Sequence, residues 1–170
     1  MLKLISTALL TLALSQSVLA EETKNIVSFD LNKLYAGAGF GHNRIDSSSV
    51  FGGKDGTASG VQVFAGYEYG TRNGFDISTE AGLIQTGDFY SGLKEDADGV
   101  WLAGVVSKDL PEIDDKLSAI VRLGYGLGGD DGLLMGFGAQ YRLLPQAFVR
   151  LEYLNKDITQ SYQVNAIYKF

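Results

Sequence analysis

The stretch that decides the fold is SYQVNAIYKF, residues 161–170. Apolar or aromatic side chains occupy every second position there, namely Tyr162, Val164, Ala166, Tyr168 and Phe170. This period of two is typical of a β-strand with two different faces. Because free C-termini of soluble domains are usually frayed and polar, an alternating stretch that ends on Phe predicts a terminal strand paired with another strand.

The same alternation continues upstream and predicts a chain built of strands. No helical periodicity of useful length competes with it. The predicted strands are about 34–45, 60–69, 75–85, 99–108, 117–127, 133–142, 147–154 and 161–170. The fourth, GVWLAGVVSK, is apolar on both faces, so its orientation is left open.

Composition supports this fold class and excludes several functions. The 170 residues include 22 Gly and only 2 Pro, together with nine Tyr and nine Phe, which suits strands and tight turns. A net charge of -6 argues against a nucleic-acid surface, which needs basic clusters. The absence of Cys excludes disulfides, thiolate metal sites and a Cys nucleophile.

The first twenty residues have the pattern of a secretory signal peptide. Lys3 precedes an apolar core over residues 4–14, and the small residue Ala20 marks a cleavage site. The core is too short for a membrane-spanning helix, and no later apolar run is long enough either. We therefore expect a signal peptide over 1–20, a short periplasmic segment over 21–32 and one β-barrel domain over 33–170.

The connectors alternate in length and polarity. Two long polar stretches cover 47–59 and 86–99, and the stretches 128–132 and 155–161 complete the polar set; the other, short set is 70–74, 110–116 and 143–146. Outer-membrane barrels show this asymmetry, with short periplasmic turns and longer external loops.

A soluble sandwich and a lipocalin-like barrel also have alternating strands, so the two faces must be compared. Strands of about 9–11 residues match a tilted membrane strand. Aromatic residues recur at the ends of the apolar stripes, where a membrane-interface girdle lies: Tyr67, Tyr69, Phe75, Tyr141, Tyr153, Tyr168 and Phe170. These features favour an eight-stranded antiparallel transmembrane β-barrel.

Four motifs resemble the OmpA-like eight-stranded outer-membrane barrels. They are LYAGAGFG at 34–41, GVQVFAGYEY at 60–69, VRLGYG at 121–126 and VRLEY at 149–153. The resemblance extends from about Lys33 to Phe170. Because the chain ends after the eighth strand, it is closer to barrel-only members such as the OmpX-like proteins.

The resemblance implies two sets of functional residues. The first is an interior ionic network of Glu80, Arg122, Arg150 and Glu152, with Glu68 and Gln140 on the same face; Gln140 stands where the family often has an acid. The second is a C-terminal assembly signal of Tyr162, Val164, Ala166, Tyr168 and Phe170.

The implied partners are outer-membrane lipid or lipopolysaccharide and, during biogenesis, the barrel-assembly machinery. We expect a porin-family-like monomer in a Gram-negative outer membrane.

Three functional hypotheses remain open. We favour a non-enzymatic barrel with a structural or adhesion-type role through its external loops, its interior charges pairing across a filled lumen. The alternatives are a narrow pore gated by those pairs and a lipid A-modifying enzyme using His42, the only His. No catalytic motif surrounds His42, and we expect no cofactor.

No metal site is predicted either. The acidic loop groups Glu95, Asp96 and Asp98, and Asp130 and Asp131, lack the ligand spacing of a calcium loop. Bridging of these groups to lipopolysaccharide phosphates by divalent cations remains a hypothesis.

Overall fold

Eight antiparallel strands form a closed barrel in which neighbours in sequence are neighbours in space and β1 pairs with β8. A single 3₁₀ turn, Leu31–Lys33, precedes them. The strands are β1 Leu34–Ile45, β2 Gly56–Arg72, β3 Phe75–Thr86, β4 Gly99–Asp109, β5 Leu117–Gly128, β6 Gly132–Leu144, β7 Ala147–Lys156 and β8 Thr159–Lys169. The predicted number, order and closure of the strands are confirmed.

The computed structural model describes residues 30–45, 56–88, 98–128, 131–156 and 159–170. The predicted signal peptide over 1–20 and most of the predicted segment over 21–32 lie outside these ranges. Within them, no helix has the length and apolar character needed to cross a membrane.

The two ends of the barrel differ in their connections. The connections after β2, β4 and β6 lie at the same end as Leu34 and Phe170, whose backbone groups hydrogen-bond at 3.1 Å, whereas the two longest connections, 46–55 and 87–98, lie at the opposite end. We call the end with Leu34 and Phe170 the inner end and the opposite end the outer end. In outer-membrane barrels the short turns face the periplasm, and we adopt that orientation.

The connection between β2 and β3 is shorter than predicted. The expected turn 70–74 is a two-residue hairpin of Asn73 and Gly74, because β2 continues to Arg72. Both turn residues have positive φ, 54° and 79°, which Asn and Gly adopt more readily than other residues. The chain therefore reverses without a longer loop.

The outward face of the barrel is apolar over most of its surface. Leu102, Val121 and Phe137 are each at least 60% exposed although they are large hydrophobic residues. Soluble monomers rarely expose continuous apolar patches of more than a few hundred Å². The face that a soluble barrel would bury is thus the face that lipid covers in a transmembrane barrel.

The orientation of β4, which the sequence left open, is decided by packing inside the lumen. Trp101, Ala103 and Val105 point inward, whereas Leu102 and Val106 point outward. Trp101 lies opposite Gly82 of β3, where an added Cβ would approach the indole to 2.6 Å. The lumen therefore has room for the indole only because position 82 lacks a side chain.

Candidate functional site

Four charged side chains meet in the middle of the lumen: Glu80 of β3, Arg122 of β5, and Arg150 and Glu152 of β7. Arg122 Nη2 lies 2.6 Å from Glu80 Oε2 and 3.0 Å from Glu152 Oε2. Arg150 Nη1 lies 2.7 Å from Glu80 Oε1. We call these four residues the central cluster; their side chains are at most 5% exposed. Two cations and two anions leave it with no formal net charge.

Small residues on neighbouring strands make room for the long charged side chains. Glu80 pairs in register with Gly66 and Ala103. Arg122 lies opposite Gly136, and Glu152 lies opposite Gly138. Because an eight-stranded barrel is barely wide enough for its own side chains, these small neighbours let the charged groups extend across the lumen.

Neutral polar residues complete the hydrogen bonding of the cluster. The Tyr35 hydroxyl donates to Glu80 Oε1 at 2.7 Å, and Asn165 Nδ2 donates to Glu152 Oε2 at 3.1 Å. Tyr35 and Asn165 were not among the predicted site residues. Their inward positions follow from the strand alternation, but their partners belong to other strands and are not readable from the sequence.

Gln140 joins the cluster through Arg150, whose Nε donates to Gln140 Oε1 at 3.0 Å. The resemblance suggests an acid at this position, and the amide oxygen supplies a neutral acceptor instead. With Gln at position 140, the hydrogen bond from Arg150 is kept, and the central cluster has two positive and two negative charges.

The Arg122 guanidinium also stacks on aromatic rings of the lumen. Its Cζ lies 4.7 Å from the centre of the Trp101 ring and 5.8 Å from that of Phe64. Such cation–π contacts add stability when the cation is removed from water. The central cluster is thus held by aromatic contacts as well as ion pairs.

Glu68 is not part of the central cluster, although the resemblance grouped it with those residues. Its carboxylate pairs with Lys169 Nζ near the inner end, where both side chains are about one-third exposed. The alternation predicted its inward face correctly, but its height along the barrel depends on strand register: Glu68 lies opposite Ser78, nearer the inner end than Glu80. Glu68 therefore lines the inner opening.

Cavities lie on both sides of the central cluster. The outer one has a volume of about 40 Å³, enough for water, and is lined by Arg122, Trp101 and Lys156 among others. The inner one has a volume of about 230 Å³ and is lined by Tyr35 and Arg150 among others. In the described part of the barrel, the central cluster separates these two spaces.

Part of the cluster's hydrogen-bonding capacity is unused by protein groups. Arg122 Nε, Arg122 Nη1 and Glu152 Oε1 are buried without a protein partner. Arg122 and Glu152 therefore have groups available for other partners, including water.

His42 projects outward near the outer end of β1 and is exposed. It lies in register with Ser59 of β2 and Tyr162 of β8. Within the described residues, no hydrogen bond joins His42 to Ser59 and no carboxylate pairs with it. Among the described residues, the geometry thus does not assemble a base, a nucleophile and an orienting acid around this imidazole.

The residues of the predicted assembly signal all lie on the outward face of the barrel. Tyr162, Val164, Tyr168 and Phe170 are each about half exposed or more, and Ala166 is also exposed. They form the lipid-facing side of the strand that closes the barrel onto β1.

Most of the predicted acidic loop residues lie outside the described ranges, namely Glu95, Asp96 and Asp130. Asp98 accepts a hydrogen bond from the Thr86 backbone N–H at 2.7 Å, and Asp131 accepts one from the Gly128 N–H. Among the described residues, no group of three or more ligating side chains is placed to hold a metal ion.

Comparison with known proteins agrees with this architecture. A family model described as "Outer membrane protein beta-barrel domain" matches residues 6–170. A search of curated proteins finds no significant match. A de novo designed transmembrane β-barrel has a TM-score of 0.57 at 16% identity, covering 85% of this chain and 100% of its own. Neisserial surface protein A (NspA) has a TM-score of 0.52 at 17% identity, covering 81% and 97%. At these identities the similarity establishes the fold alone.

Proposed function

Because this chain belongs to the outer membrane β-barrel family, we propose that it is a non-enzymatic outer-membrane protein with a structural or adhesion-type role, carried by loops at its outer end. The observation that supports this role most directly is the filled middle of the lumen. The central cluster closes the barrel there with side chains that are at most 5% exposed. Because the middle of the lumen is filled, the external surface of the barrel is the main part that can contact other molecules.

A loop exchange tests this proposal. Segments 47–55 and 89–97 are replaced by short Gly-Ser turns, and the inner-end turn 111–115 is replaced in the same way as a control. Cells lacking the protein then receive each version. The measurements are detergent sensitivity, which tests the structural role, and adhesion to immobilised extracellular-matrix glycoproteins, which tests surface contact.

We expect the control to match the wild type in both assays. A surface-contact role requires the loop exchange to abolish adhesion while the barrel still reaches the outer membrane. A structural role carried by the loops requires the wild type to restore detergent resistance and the loop exchange to abolish that restoration. If neither property depends on the presence of the protein, the proposal is wrong.

A narrow gated pore is the second candidate, and two observations favour it. Cavities lie on both sides of the central cluster, and buried groups of Arg122 and Glu152 have no protein partner. Exchange of ion-pair partners would then open a path between the cavities. The purified protein is added to planar lipid bilayers for single-channel recording, beside a Glu80→Gln variant.

Under the favoured role, the wild type gives no reproducible conductance steps. Robust steps from the wild type, altered in frequency by Glu80→Gln, would support the pore in its place. Asp109→Asn is a matched control because it removes one carboxylate from the inner opening, where the structure shows no ion pair to that residue.

A further inference from the structure

The inner cavity, of about 230 Å³, has charged linings that are segregated by sign. Carboxylates come from β2, β3 and β4, whereas cations come from β6, β7 and β8. The acidic wall is Glu68, Asp76 and Asp109, and the basic wall is Arg142, Arg150 and Lys169. In the closed strand order, β1 and β5 lie between these groups of strands, so the two walls face each other across the lumen.

The two walls form one ion pair, at the junction over β1. Glu68 of β2 pairs there with Lys169 of β8, and β1 lies between these two strands. The carboxylates of Asp76 and Asp109 form no ion pair with any described residue. The acidic wall therefore keeps two carboxylates for a cation located in the cavity.

Each of these two carboxylates is positioned by a hydroxyl group. Asp76 Oδ1 accepts a hydrogen bond from the Thr71 hydroxyl, and Asp109 Oδ1 accepts one from Ser118 Oγ at 2.6 Å. One oxygen of each carboxylate is engaged in this way. The second oxygen of each has no protein partner in the described hydrogen bonding and is available to a ligand.

The basic wall also keeps donors for a ligand. Arg142 uses Nη2 to hydrogen-bond the Asp115 carbonyl oxygen at 2.9 Å and has no carboxylate partner among the described residues. Arg150, which is buried, forms the floor of the cavity and is bound to Glu80 and Gln140. A planar guanidinium at the opening and another at the floor suit the recognition of a carboxylate.

Phe148 gives the basic wall an apolar surface. It lies in register with Arg142, and Lys169 Nζ lies 4.9 Å from the centre of its ring. The ring therefore lies beside two cations and provides a contact surface for a small apolar group. Ligands bind best where a few placed charges accompany such apolar contact.

We propose that the inner cavity binds a small zwitterion of amino-acid or dipeptide size, with its ammonium group at the acidic wall and its carboxylate at the basic wall. The acidic wall would repel a simple anion, and the basic wall would repel a simple cation. The volume of 230 Å³ is below the range of about 300–1,000 Å³ that holds drug-sized ligands, which favours a smaller molecule.

The probe is the dipeptide alanyl-alanine, added to the full mature protein in lipid nanodiscs and followed by NMR. N-acetyl-alanyl-alanine lacks the ammonium group, and alanyl-alanine amide lacks the carboxylate. We expect saturable shifts of the Ser107 and Ser118 amides with the free dipeptide. Each blocked peptide should bind about tenfold or more weakly, as expected for the loss of a charge-assisted hydrogen bond. High salt should also weaken binding of the free dipeptide, because it screens both charge pairs.

Variants assign each charge to its wall. Asp109→Asn should weaken binding of the free dipeptide about tenfold. It should leave binding of N-acetyl-alanyl-alanine unchanged, since that peptide has no ammonium group. Arg142→Gln should weaken binding of the free dipeptide and leave binding of alanyl-alanine amide unchanged. Glu112→Gln is the control, because Glu112 is exposed in the inner-end turn and does not line the cavity. It should bind the dipeptide like the wild type.

Three outcomes would overturn the proposal: no saturable binding in the millimolar range, equal binding of all three peptides, or binding that requires only one of the two charges. The last would identify an anion or cation site. Because the peptide comparison uses wild-type protein, it stands even if a variant fails to fold. The external-loop proposal concerns the opposite end, so failure of either leaves the other intact.

Discussion

Arg122 is the residue on which the interior depends most. Among the described cations it alone lies within 3.0 Å of both buried carboxylates of the central cluster, Glu80 and Glu152. Its guanidinium also covers the Trp101 ring. A buried ion pair is weak evidence for stability in itself, but removal of one partner leaves the other charge buried and uncompensated.

We predict that Arg122→Met lowers the free energy of unfolding by about 3–5 kcal/mol, because Arg150 is then the only described cation that forms an ion pair with Glu80 and Glu152. Urea unfolding of the folded barrel in phospholipid vesicles measures the change. Arg142→Met is the control: because the Arg142 side chain is exposed, this substitution should lower the free energy of unfolding by about 0.5 kcal/mol or less. Equal losses in the two variants would contradict a special role for Arg122.

At the scale of the element, β8 closes the barrel and carries the proposed assembly signal. It pairs with β1 over eleven positions, from Tyr35 opposite Lys169 to Ile45 opposite Thr159. A sheet edge left unpaired in lipid would expose backbone groups to a medium without water. Closure therefore needs the residues through Lys169, and Phe170 adds one further backbone hydrogen bond, to Leu34.

Deletion of Phe170 separates these two roles. If Phe170 is read by the assembly machinery, the deletion should reduce the amount of folded barrel in the outer membrane several-fold, although β8 keeps its pairing. Quantitative blotting of outer-membrane fractions measures this amount. Ile113→Ala is the control, because Ile113 is a 72% exposed apolar residue near the same end. Normal assembly of the deletion variant would refute the signal while leaving the closing strand intact.

At the scale of the whole molecule, the closed sheet and its apolar outer face make one cooperative unit. Every strand is paired on both sides, so opening any one of them exposes edges on two strands. The outward face is covered by lipid and the inward face by its own side chains. Such a barrel should resist detergents that unfold soluble proteins.

We predict that the unheated protein migrates faster than the boiled protein in detergent gels, because the closed barrel stays compact until heating breaks the sheet. Outer-membrane fractionation followed by this gel is the measurement. A periplasmic soluble protein, processed in parallel, should show no shift. Recovery of this chain in the soluble periplasmic fraction would contradict the transmembrane barrel.

How much the sequence predicts differs from feature to feature. Strand alternation was enough to place Glu80, Arg122, Arg150 and Glu152 on one face, because period two assigns each residue to a side. It did not separate Glu68 from them, because height along the barrel depends on strand stagger and register. It also left β4 unoriented, since an apolar side chain suits both lipid and a packed lumen.

The sequence by itself determined that eight strands alternate and that their apolar face is the one opposite the charges, since these are local, period-two properties of the chain. Only the tertiary structure decided which strands meet across the lumen. Closure brings Arg122 of β5 to Glu80 of β3 and sets the acidic wall opposite the basic wall. Those contacts depend on barrel order and stagger, which join residues far apart in the chain.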